Sequence, residues 1–157
     1  MRMRRIVIAA VLAALGAGGV TAAPAQAADP AGPMLLVPAV RSIDSGTPTW
    51  VQTSWGTTID ICDVQITAHV VRATIVYPDN TATYTSFSRD NSLATGATDY
   101  ASFQVTVWVA HTQLKAIHLT INYKVKSHGY CAGPVQSRMF YATLPVQHRR
   151  VRPPVGA

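Results

Sequence analysis

Catalysis needs acids, bases, nucleophiles or metal ligands at workable spacings, and in this chain those residue types are few. All seven acidic residues are Asp, with no Glu anywhere. Asp60 and Asp63 lie close together, but residues three apart on a strand point to opposite faces. That denies them the shared cleft that hydrolysis by paired carboxylates requires. The five histidines, His69, His111, His118, His128 and His148, are scattered singly. A metal site built from His69, His111 and His128 would have to be assembled by the fold alone, because zinc ligands ordinarily announce themselves by close spacing. Gly-x-Ser-x-Gly, His-Glu-x-x-His and the glycine-rich phosphate- and dinucleotide-binding patterns are missing. No residue receives a catalytic or metal-binding assignment, and the reading leans against an enzyme.

Two groups of side chains remain that could engage a ligand. Asp79, Asn80, Asp90 and Asn91 bracket a polar stretch and carry oxygens of the kind a calcium ion takes. The same Asp-Asn pairs are ordinary turn residues, so no cofactor is expected, with calcium near Asp79 and Asp90 as the alternative kept open. Tyr84, Phe87, Arg89 and Tyr100 line that stretch, and Trp108 falls on the polar side of its strand if Val105 and Val107 face a core. Exposed aromatics can stack on sugar rings or anchor a protein partner. These five residues are the candidate binding surface, and burial of the loop over one sheet is the competing reading.

The compartment is legible at the N-terminus. Arg2, Arg4 and Arg5 precede an apolar run over residues 6–20, and Ala25-Gln26-Ala27 follows as a small-x-small cleavage pattern. The run is shorter than the ~20 residues that span a bilayer as a helix. Residues 1–27 are therefore expected to be a signal peptide, with the remainder secreted and without a membrane span. Without the three leader arginines, the 13 Lys and Arg fall to 10 against 7 Asp, a net charge of +3. Three of those ten are Arg149, Arg150 and Arg152, so the folded body is close to neutral, which argues against a nucleic-acid surface. Residues 148–157 read as a disordered, basic, Pro-rich tail. In an oxidising compartment Cys62 and Cys131 are expected to pair as a disulfide, worth about 4 kcal/mol through chain entropy.

The elements that would position these groups are strands. Phe103, Val105, Val107 and Val109 alternate with polar neighbours, as do Ile117, Leu119, Ile121, Tyr123 and Val125. Cys62, Val64, Ile66 and Ala68 form a third apolar face. Residues 72–77, 50–55 and 138–146 are further strands, and 34–40 is an edge strand, about seven in all. Trp50 and Trp55 point opposite ways on one of them, so one is expected in the core. Gly, Pro, Asp and Asn clusters punctuate the chain at sandwich-like spacing, and residues 81–100 read as a long polar connection. The expected fold is all-β: an antiparallel immunoglobulin-like β-sandwich over residues 28–147 with one disulfide.

The stretch from Asn91 to Tyr100, NSLATGATDY, running into Phe103-Gln104-Val105-Thr106-Val107, resembles extracellular immunoglobulin-like and fibronectin-III-like bacterial modules. The resemblance implies that Leu93 packs under a loop, Gly96 turns the chain, and the next strand enters the core. It covers about seventeen residues and implies a fold class only. The Cys-Trp-Cys spacing of antibody domains is not met, since Trp108 lies between the cysteines but near the second. The chain also resembles uncharacterised secreted proteins of high-GC Gram-positive bacteria. The functional expectation is a secreted non-catalytic binding or structural module, engaging a cell-wall polymer, a glycan or an extracellular protein. The alternatives are a secreted hydrolase with an unrecognised site, or an enzyme inhibitor presenting residues 127–134. Assembly into a larger layer would show as an unprotected long edge strand.

Overall fold

Strands form where apolar and polar residues alternate, and two sheets then bury their apolar faces against each other. The structure is a computed structural model and describes residues 31–78 and 82–148. The expected leader, Asp79, Asn80 and residues 149–157 lie outside it. One sheet holds β1 (Pro33–Leu35), β3 (Thr49–Thr57), β6 (Thr98–Val107) and β5 (Ala73–Val76), in the order β1-β3-β6-β5. The other holds β2 (Ile43–Asp44), β9 (Gln136–Gln147), β7 (Gln113–Ser127) and β4 (Ile61–His69), in the order β2-β9-β7-β4. A short β8 (Tyr130–Cys131) pairs with the end of β7. All pairings between strands are antiparallel except β2 with β9.

This is an immunoglobulin-like sandwich. The chain changes sheet at every step from β1 to β5, and again between β6 and β7. The expected edge strand at 34–40 divides: β1 joins the first sheet, then the chain crosses and Ala39 bridges Thr143 in the second. The long alternating runs are buried as the pattern requires. Phe103, Val105 and Val107 of β6 and Ile117, Leu119, Ile121 and Tyr123 of β7 are fully buried. Trp55 is fully buried while Trp50 is half exposed. The Trp55 ring packs edge-on to Phe140 at 5.1 Å, and its Nε1–H donates to Thr53 Oγ1 at 2.9 Å, so the indole carries no unpaired donor into the core.

The described part of the long connection, residues 82–97, behaves differently from a solvated loop. Leu93 is buried beneath it, Gly96 turns with φ 74°, and β6 follows, in the arrangement that the resemblance implies. The connection also runs along the outer edge of β4. Ile61 and Leu93 exchange backbone bonds at 2.9 Å, Ile66 and Thr85 at 2.7 and 2.9 Å, and the Val64 N–H donates to the Asn91 carbonyl at 2.9 Å. A sheet edge that would otherwise present unpaired donors and acceptors is thereby covered. The disulfide joins Cys62 of β4 to Cys131 of β8 with 5.9 Å between Cα atoms. It ties the edge strand to the tip of the β7–β9 hairpin and does not pin the two sheets together.

Candidate functional site

The covering connection and the tethered hairpin stand on either side of a patch of β4 and β7, and between them they make a cleft of about 570 Å³. Its floor comes from the polar side of the two amphipathic strands: Asp63 and Gln65 of β4, Asn122 and Lys124 of β7. Gln65 and Asn122 are direct register partners. Between Cys62 and Gln65 the ladder slips, and Asp63 sits at that irregularity with φ 52°, a conformation uncommon for a residue with a side chain. The distortion re-aims Asp63 so that its Oδ2 meets Lys124 Nζ at 3.0 Å. One wall is Tyr84, Ser86 and Asn91 of the connection; the other includes Val135 of the hairpin. Ser86 Oγ donates to the Val64 carbonyl at 2.9 Å, fixing the wall to the floor.

The side chains of Gln65, Asn91 and Asn122 have no hydrogen-bond partner among the described residues, and neither has the Tyr84 hydroxyl. Three carboxamides and a phenol thus line one cleft with donors and acceptors that no described protein group uses. Asp63 is the one carboxylate lining it, and it is engaged by Lys124. None of Asp63, Gln65 or Asn122 was separable in the sequence from the solvated side of an amphipathic strand. The cleft arises from segments distant in the chain closing over them.

A second, shallower cleft of about 440 Å³ lies on the first sheet, lined by Leu36, Val37, Ser54, Arg89, Thr98, Asp99 and Tyr100. Burial alone would raise the Asp99 carboxyl. The Ser88 hydroxyl, the backbone N–H groups of Tyr100 and Arg89, and the Arg89 charge outweigh that and hold it below the usual carboxylate range.

The structure therefore separates the five residues expected to form one surface. Tyr84 belongs to the first cleft, and Arg89 and Tyr100 to the second. Phe87 is buried and bridges Ala101, because the connection folds inward there; it is a core residue and offers no contact surface. Trp108 is 74 % exposed, just past the end of β6, with its ring against Gly46. That is the end of the sandwich where β3 begins, on the first sheet, whereas the first cleft lies over β4 and β7 of the second.

The calcium alternative rests partly on Asp79 and Asn80, outside the described residues. Both Asp90 oxygens are occupied by turn donors, Asn91 N–H at 2.6 Å and Ser92 Oγ at 2.8 Å, and these bonds hold the carboxyl below its ordinary range, that of Ser92 most. Among the histidines the fold brings His69 beside His118, with ring centroids 6.0 Å apart, and no group of three potential metal ligands forms among the described residues. His148 is held, its backbone N–H donating to Thr112 Oγ1 at 3.1 Å.

No protein-family model matches this chain, and no curated protein matches it. Among solved structures it is similar to the GAE domain of GGA2p from Saccharomyces cerevisiae, at 12 % identity and a TM-score of 0.45, over 68 % of this chain and 84 % of that one. It is similar to the ASH/PapD-like domain 7 of human CEP192, at 8 % identity and a TM-score of 0.39, over 87 % and 98 %. It is also similar to AggA, the major subunit of aggregative adherence fimbriae type I from Escherichia coli, at 10 % identity and a TM-score of 0.32, over 76 % and 95 %. At these identities the likeness carries no function across.

Proposed function

We propose that this chain is a secreted, non-catalytic binding module that holds an uncharged stretch of glycan or cell-wall polysaccharide in the cleft between the long connection and the disulfide-tethered hairpin. The observation that carries this reading is that Gln65, Asn91 and Asn122, whose amides have no partner among the described residues, line the same cleft of about 570 Å³ as Tyr84. Sugar hydroxyls are both donors and acceptors, and carboxamides match them in both roles, while an aromatic ring packs against the apolar face of a pyranose. A single carboxylate already paired with a lysine supports binding over glycosidic hydrolysis, which uses two.

The test is co-sedimentation of the purified, oxidised protein with insoluble cell wall and polysaccharides at low and high salt. Pelleting that resists salt, is lost in Tyr84→Ala and Asn122→Ala, and survives in Trp108→Ala is the expected result. Pelleting abolished by salt alone would place the attraction in the basic C-terminal residues. Loss in Trp108→Ala with Tyr84→Ala unaffected would move the site to the end of β6 on the other sheet and refute the cleft.

A further inference from the structure

Every sheet edge needs an answer to its unpaired backbone groups, and the second sheet answers on one edge and on part of the other. The long connection covers β4. The second half of β9 is covered too: the Thr143 N–H donates to the Pro38 carbonyl at 2.7 Å, its carbonyl accepts from Val40 N–H at 3.0 Å, and the Gln147 carbonyl accepts from Ser45 N–H at 2.8 Å. Residues 143 and 147 therefore face the edge, and so, by the two-residue alternation of the ladder, do 137, 139, 141 and 145. Position 145 is Pro, which has no N–H to leave unpaired there. Ser137, Met139 and Tyr141 have no such device. No backbone bond from outside the sheet reaches them among the described residues, and their side chains stand exposed, Met139 by 58 % and Tyr141 by 53 %.

We infer that this open half of β9 is a self-association surface, on which a second copy of the chain adds its own β9 antiparallel about a two-fold axis. The free stretch is bounded by the hairpin on one side and by the Thr143 contacts on the other, so the register that uses all of it centres on Met139. Ser137 of each copy then meets Tyr141 of the other, and Met139 meets Met139. Three residue pairs exchanging two bonds each make about six backbone hydrogen bonds. The occupant is argued from charge and symmetry. The edge-facing residues are uncharged, whereas protected natural edges carry Lys, Pro or a bulge. The lone charge of the stretch, Arg138, faces inward, with its Nη2 donating to the Ala31 carbonyl, so no like charges meet across the axis. A side-by-side two-fold of this kind turns the outer faces of both second sheets the same way.

The inference is independent of what the cleft binds, and sedimentation velocity on the oxidised full chain tests it. The interface is small, so the expected wild type is a reversible dimer with Kd of about 10–100 µM. Met139→Pro removes only an edge-facing donor, in the phase that native Pro145 already occupies, and is expected to weaken the dimer at least tenfold with the thermal transition retained. Met139→Lys, which sets like charges opposite each other, keeps the strand intact and decides the matter if the proline variant does not fold. A wild type that stays monomeric to about 1 mM overturns the inference. So does a Met139→Lys variant that dimerises as the wild type does.

Discussion

Replacing the disulfide, as Cys62→Ala with Cys131→Ser, tests what the tether contributes. The bridge spans 69 residues of sequence. In the chain-entropy account a loop of that length restricts the unfolded chain by about 15 cal/mol/K, or about 4 kcal/mol at 25 °C. On the native side little is lost at position 131, which is exposed, whereas Cys62 is buried and its truncation adds about 1 kcal/mol. For a domain of this size the sum lowers the melting temperature by about 15–20 °C. Urea denaturation separates the two contributions. A chain freed of its cross-link is more expanded when unfolded, so its m-value should rise as its midpoint falls, and reduced wild type should share that rise. A loss below about 1 kcal/mol would refute the reasoning. A full loss with an unchanged m-value would too, because stabilisation would then come from native packing.

Two further outcomes follow from buried polar groups. Asp99 is held below its ordinary value of 3.8 in the folded state, so its contribution is complete above that value and disappears as pH falls through the lower folded one. Asp99→Asn is expected to cost about 2 kcal/mol at neutral pH and to flatten the acid limb of stability, read by urea melts across pH. Thr53→Val leaves the Trp55 indole N–H without its acceptor in a fully buried site and should cost about 2 kcal/mol, whereas Thr53→Ser, which keeps the oxygen, should cost less.

The sheets were legible because burial on one face imprints a period of two, and β4, β6 and β7 carry it over many residues. The disulfide followed from the expected compartment and cysteine count, and the roles of Leu93 and Gly96 from the resemblance to immunoglobulin-like modules. The two-residue strands β2 and β8 had no such period to display. The division of the first edge strand was hidden because residues 36–38 leave one sheet before 39 joins the other, a choice made by neighbours distant in sequence. The cleft was illegible for a similar reason. Gln65 and Asn122 look like any solvent-facing amide until the connection and the hairpin rise beside them. Phe87 was misplaced because a polar stretch hid that its backbone turns inward toward Ala101.

The way the long connection is fastened to β4 bears on how the molecule can change over generations. Most of those bonds run from backbone to backbone, so they are indifferent to the identity of the side chains they pass. Tyr84 and Asn91 can be replaced without unfastening the wall on which they sit. A surface built this way can change its side chains by point mutation while the sandwich beneath keeps its own packing, and libraries randomised at those positions should stay folded.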